Sequence, residues 1–203
     1  MTFEGSGRGA MARSGPFLFS APPRYPRIVS LPESQSRYQV RFAWGVEGGN
    51  AIAADAHVVV WVDALPDAAL KPTSIHGDAA VVTGSTGSRA AVAQWILDRQ
   101  AELGDRAYVA VVAAGGRDGA FAVEDMVAAG AVIDALADLG IDYTSPEAAA
   151  AAGSWQALKN AGSHVLTASV AGQLLLATEG PEALEAARIA ATSPEFEVLR
   201  AAV

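Results

Sequence analysis

A chain of 203 residues can bury one full core, and two domains would be cramped. It is 51% hydrophobic and 18% charged, which suits a globular protein rather than a disordered or fibrous one, and no apolar run approaches the roughly 18 residues of a membrane span. The net charge of −8 argues against general nucleic-acid binding, because an acidic surface repels phosphate backbone; without cysteine there is no disulfide, thiolate nucleophile or Cys-type zinc site.

Residues 1–36 are rich in glycine and proline, from Gly5 to Pro32, and show no sustained period. They read as a mobile or loosely docked arm ahead of a single domain over 37–203. The Phe17-Leu18-Phe19 patch could dock on that domain or on a second copy, and it is too short and proline-interrupted for a signal-peptide core. A cytoplasmic protein is the expectation. Tyr38 to Trp44 alternates as a half-buried strand should, with Gln39, Arg41 and Ala43 on the polar face. A short helix over 47–54 follows, then the strongly β-prone strand His57 to Asp63. Its terminal Asp63 either caps the next turn or presents an acid to a crevice.

Residues 64–78 read as loop and 79–83 as a third strand. The Gly84-Ser85-Thr86-Gly87-Ser88-Arg89 loop then opens a helix striped by Val92, Trp95, Ile96 and Leu103. Free N–H groups at such a helix start suit an anion, although Ser88 as a plain N-cap explains the pattern equally simply. Tyr108 to Ala114 is a buried strand, followed by a glycine-rich loop from Gly115 to Gly119 and a helix to Leu136. Arg117, Asp118, Glu124 and Asp125 fall around that helix start. Acids there suit the helix dipole as well as they suit chemistry. Ser145-Pro146-Glu147 opens a helix reaching Lys159, and helices over 163–177 and 181–190 and a last strand over 195–199 complete the chain.

Strands interleaved with helices predict a three-layer α/β/α sandwich with a largely parallel or mixed sheet. The strand ends at Asp63, Gly84 and Ala114 would then meet at one crevice, where open α/β sheets bind ligands. His57, His76 and His164 show no ligand spacing and read as structural or solvated. The four tryptophans read as core or interface, and no serine has an evident histidine partner.

Several of these segments together resemble the 2-phosphosulfolactate phosphatases, the ComB-like magnesium enzymes of coenzyme M biosynthesis. The similarity rests on Val40-Arg41-Phe42-Ala43-Trp44-Gly45, on Val58 to Leu65 with Asp63, on the Ser85 to Ser88 loop, and on Ser169-Val170-Ala171-Gly172. Its strongest part is Val111 to Ala131, with Gly115-Gly116, Gly119, Glu124-Asp125 and Ala129-Gly130. The resemblance implies hydrolysis of a phosphomonoester on a small phosphorylated or sulfonated acid. It implies Mg²⁺ on Asp63, Glu124 and Asp125, one or more of which would orient the attacking water. Substrate contacts would come from Ser85, Thr86, Gly87, Ser88, Arg89, Gly116, Arg117 and Ser169. Two features depart from the family pattern: Pro66 to Asp78 is a short connection, and Val170, Ala171 and Gln173 replace basic residues. They motivate an alternative, a non-catalytic relative that binds small anions or acts as an interaction module, with homo-oligomerisation through the N-terminal arm as a further expectation.

Overall fold

The computed structural model describes residues 31–66, 72–116 and 120–202. Residues 1–30 of the expected arm, with the Phe17-Leu18-Phe19 patch, and Arg117, Asp118 and Gly119 therefore lie outside the described residues, whereas at its end Pro32–Ser34 form a 3-10 turn and the Gln35 side chain bonds both the N–H and the carbonyl of Phe42. Five strands form one sheet: β1 (Val40–Trp44), β2 (Val58–Val62), β3 (Ala80–Gly84), β4 (Val109–Ala113) and β5 (Val198–Arg200). Their spatial order is β1-β4-β2-β3-β5. The first four are mutually parallel, and β5 adds an antiparallel edge. Among the described residues seven α-helices surround them: α1 (Gly45–Ala53), α2 (Arg89–Leu103), α3 (Val123–Asp138), α4 (Pro146–Leu158), α5 (Gly162–Ala168), α6 (Val170–Glu179) and α7 (Pro181–Ala191). Among the described residues no helix is long and apolar enough to cross a membrane.

Handedness explains the layering. The β1-to-β2 connection steps across the sheet in one direction and the β3-to-β4 connection steps back, so right-handed crossovers must place α1 and α2 on opposite faces. The side chains follow. Val58, Val60, Val62, Val109 and Val111 point to the face covered by α2 and α3. Val59, Trp61, Ala110 and Val112 point to the face covered by Ile52, Ala53 and Ile75. Both faces of β2 and β4 are thus dry, which is why these strands read as continuous apolar runs.

Three expectations need correction. β1 is covered on both sides, and Arg41, expected on a polar face, is fully buried. Its guanidinium donates to the carbonyls of Tyr38 (3.0 Å), Ile52 (3.0 Å) and Ser36 (3.3 Å) and pairs with Asp55, so the charge is satisfied inside. The expected helix over 163–177 is two helices: the Ser169 hydroxyl accepts the Gly172 N–H at 3.1 Å and starts α6 in a new direction. Gly172 permits the corner, because a Cβ there would sit 2.2 Å from the Leu166 carbonyl oxygen. The last strand lies at Val198–Arg200, slightly later than the alternation suggested.

Candidate functional site

Adjacent strands β2 and β4 send their chains to opposite faces of the sheet, so a crevice opens between their carboxyl ends. Asp125, in the first turn of α3, closes the floor of this crevice. One carboxylate oxygen accepts the Ala64 N–H beyond β2 (2.7 Å) and the other the Gly115 N–H beyond β4 (2.9 Å). The side chain therefore ties two strand ends to a helix start. Burial pushes its carboxyl up to about 7 against the pull of the two N–H donors, and the charges of Asp63 and Glu124 push it the same way. Both a structural and an electrostatic role thus reside in the acid pair at the start of α3.

Glu124, its neighbour, is 5% exposed and accepts no hydrogen bond among the described residues. It faces a cavity of about 340 Å³ between α2, α3, α5 and α7. Three cations, Arg89, Lys159 and Arg188, share this cavity with it, in a protein whose overall charge is negative. Arg89 donates to the Thr86 carbonyl, and its guanidinium carbon lies over the Trp155 ring, 5.3 Å from the centroid. Lys159 reaches the neutral Gln156 at 3.0 Å. Arg188 is already paired, its Nε donating to Glu185 at 2.7 Å. The rest of the wall is mixed, with Val127, Ala128, Trp155, Val165 and Leu166 as its apolar part and Ser85, Thr86, Asn160, Ser163 and Thr192 as its polar part.

The 84–89 loop is organised differently from the expected backbone cradle. Ser85 and Ser88 exchange bonds, each N–H donating to the other's hydroxyl at 3.0 and 2.9 Å. Ser88 is 1% exposed; it occupies the N-cap position of α2 without capping it, since its hydroxyl serves Ser85. The Gly87 N–H and the Thr86 hydroxyl both donate to the Ala191 carbonyl at the end of α7, at 3.0 and 2.8 Å. Gly87 lets that end approach, for a Cβ would sit 2.2 Å from the Thr192 carbonyl carbon. The Gly116 N–H similarly closes its own loop onto the Ala120 carbonyl. Anion contacts in this cavity thus fall to side chains rather than to these N–H groups.

The cavity gathers Glu124, Ser85, Thr86, Gly87 and Arg89 from the residues expected at the site. Asp63 is half-buried and lines a second recess of about 380 Å³ with Glu195 and Glu197, across a wall formed by Ala64, Ser85 and Ala191. Ser169 is buried, accepts the Gly172 N–H and donates to the Leu166 carbonyl, and lines neither space. Lys159, Arg188 and Trp155 were not foreseen. Trp155 and Lys159 stand at i,i+4 at the end of α4, a spacing that shares a face, but nothing in the sequence signals that they meet Arg188 of α7 or Arg89 of α2; Trp155, expected as core or interface, is the aromatic platform under Arg89. Among the described residues no three His, Asp or Glu side chains form a metal-holding group. Magnesium needs only one or two carboxylates with waters; the Glu124 oxygens suit such a hard cation, whereas Asp63 lines the other recess and both Asp125 oxygens already accept backbone N–H groups.

No match between the chain and a curated protein reaches significance. The family model described as 2-phosphosulpholactate phosphatase matches residues 69–191, a span that contains α2, β4, the Glu124-Asp125 pair and all the cations of the cavity. More than half of the chain is covered, and the protein belongs to the 2-phosphosulpholactate phosphatase family.

Proposed function

We propose that the protein is a Mg²⁺-dependent phosphatase that hydrolyses the phosphomonoester of a small acid of the 2-phosphosulfolactate kind. The observation that carries this reading is the cavity itself, which sets Arg89 and Lys159 together with the buried Glu124, a carboxylate with no hydrogen-bond partner among the described residues. Water attacks phosphorus, the ester P–O bond breaks, the alcohol oxygen gains a proton, and inorganic phosphate and a 2-hydroxy acid leave. Glu124 accepts the proton of the attacking water, a role that needs a carboxylate facing the substrate with no competing donor. Arg89, placed over the Trp155 ring, binds an anionic group of the ester. Lys159 neutralises a second, and the Ser85 loop forms the adjoining wall. Asp125 fixes the crevice and, with a carboxyl near 7, exchanges a proton close to neutral pH. Mg²⁺ held by Glu124, Asp125 or Asp63 would supply charge neutralisation on the transferring phosphoryl group. A cytoplasmic setting and a place in coenzyme-M-type metabolism go with this reading.

Phosphate release from a panel of small phosphorylated acids, with Mg²⁺ and with EDTA, tests it. Glu124→Gln is expected to lower kcat by about 100-fold or more, the usual contribution of a general base, while leaving the far-ultraviolet circular dichroism unchanged. Folded protein that releases phosphate from none of them supports the second reading, a small-anion binding module. The observation favouring that alternative over catalysis is the 84–89 loop, whose Ser85 and Ser88 N–H groups bond each other's hydroxyls and whose Gly87 N–H bonds the Ala191 carbonyl, so these three are not free for a transferring phosphoryl group while the Arg89 and Lys159 side chains still attract an anion.

A further inference from the structure

We infer that Asp134, a side chain outside the cavity, is a positioning residue for the cations that bind the anionic substrate, an inference that rests on the phosphatase reading above and deepens it. Asp134 belongs to α3 and does not line the cavity. Its two carboxylate oxygens take donors from consecutive residues near the end of α4, the Trp155 indole N–H at 3.1 Å and the Gln156 side-chain amide at 2.5 Å. Each of these residues in turn carries one of the cations. Arg89 lies over the Trp155 ring, and the Lys159 Nζ donates to the Gln156 Oε1 at 3.0 Å. One carboxylate thus fixes the partners of both Arg89 and Lys159, and it does so from the helix that also presents Glu124.

The two branches are unequal. Trp155 is 9% exposed and its bond to Asp134 is part-buried, so water competes poorly for it. The indole is a rigid plate, and holding its N–H fixes the plane over which Arg89 lies. A negatively charged acceptor on that N–H also polarises the ring, which strengthens its attraction for a guanidinium over its face. The Gln156 branch is exposed and ends on a long, rotamer-rich lysine, so it contributes less. The sign of the effect separates positioning from plain electrostatics. Through space, the Asp134 charge repels a nearby anion, and its removal alone would tighten anion binding. As the anchor of Trp155 and hence of Arg89, its removal weakens that binding.

Calorimetric titration of the full chain with inorganic phosphate, beside steady-state kinetics on 2-phosphosulfolactate with Mg²⁺, tests this. Asp134→Ala is expected to raise the phosphate Kd and the KM by about tenfold, the scale of one hydrogen bond to a charged group, and to leave kcat within about twofold, as loss of uniform binding does. Asp134→Asn removes the same charge but keeps one acceptor oxygen, and is expected to fall between Asp134→Ala and the wild type. In an Arg89→Gln background Asp134→Ala is expected to cost no more than about threefold, because its main branch ends on Arg89. Unchanged or tighter phosphate binding in Asp134→Ala, or a loss that is fully additive with Arg89→Gln, overturns the inference and leaves the phosphatase reading intact where the wild type turns over its substrate. A wild type that binds phosphate but hydrolyses no ester removes the phosphatase reading, and the phosphate titrations then decide the inference alone. A wild type that does neither overturns both.

Discussion

Asp125 gives the most direct physical test of the site. Its carboxyl sits near 7 in the folded protein, against an ordinary value of 3.8. A raised carboxyl binds its proton more tightly folded than unfolded, so its contribution to stability is fully present below about pH 4 and is lost as pH rises through 7. The whole window is on the order of 4 kcal/mol, at 1.36 kcal/mol per pH unit. The part between pH 5.5 and 8, clear of the isoelectric point near 4.8, is about 2 kcal/mol. Asp125→Asn removes the titration and adds a constant penalty, because an amide accepts only one of the Ala64 and Gly115 N–H groups and turns a donor towards the other. That penalty is about 1–3 kcal/mol. Urea denaturation of both proteins in EDTA should therefore show the wild type ahead at pH 5.5 and its lead shrinking by about 2 kcal/mol at pH 8. A lead that is flat across this range, or that grows with pH, would refute the account of Asp125 as a carboxyl held protonated by burial.

Binding of Mg²⁺ near the same carboxylates favours their charged forms, so at 100-fold its Kd it should add about 2.7 kcal/mol at pH 8 and flatten the wild-type pH slope; an unmoved melting temperature at millimolar Mg²⁺ would count against the metal. Gly130 in α3 packs so closely on α4 that a Cβ would lie 2.0 Å from the Ala151 carbonyl oxygen. Gly130→Ala gains about 1 kcal/mol of helix propensity and loses more to the backbone clash, so a Tm lower by about 5 °C is expected in differential scanning calorimetry. Arg41→Leu takes the donor from the buried Ile52 carbonyl and from the part-buried Tyr38 and Ser36 carbonyls, and should cost about 3 kcal/mol in urea unfolding. Asp55→Asn, whose side chain is 55% exposed, should cost about 1 kcal/mol; the reverse ranking would show that the ion pair, rather than the carbonyl bonds, holds Arg41.

Local spacing was enough to place most elements. The β-branched runs of β2 and β4, the Ser145-Pro146 start of α4 and the Gly180-Pro181 break before α7 are short-range signals, and each marks its element within a few residues. The acid pair at the start of α3 was equally visible, and so was the family resemblance that the match over residues 69–191 bears out. Spacing along the chain could not tell which acid would bridge two strand ends and which would face a cavity, because that depends on where β2 and β4 finish side by side. Nor could it reveal that Arg41 is buried, since α1 and the Ser36 to Tyr38 turn close over it only once the sheet is assembled. The cationic cavity belongs wholly to the tertiary structure. Arg89 starts α2, Lys159 follows the end of α4 and Arg188 lies in the last turn of α7, and only the packing of these helices over the face that right-handed crossovers give to α2 and α3 brings the three together around Glu124.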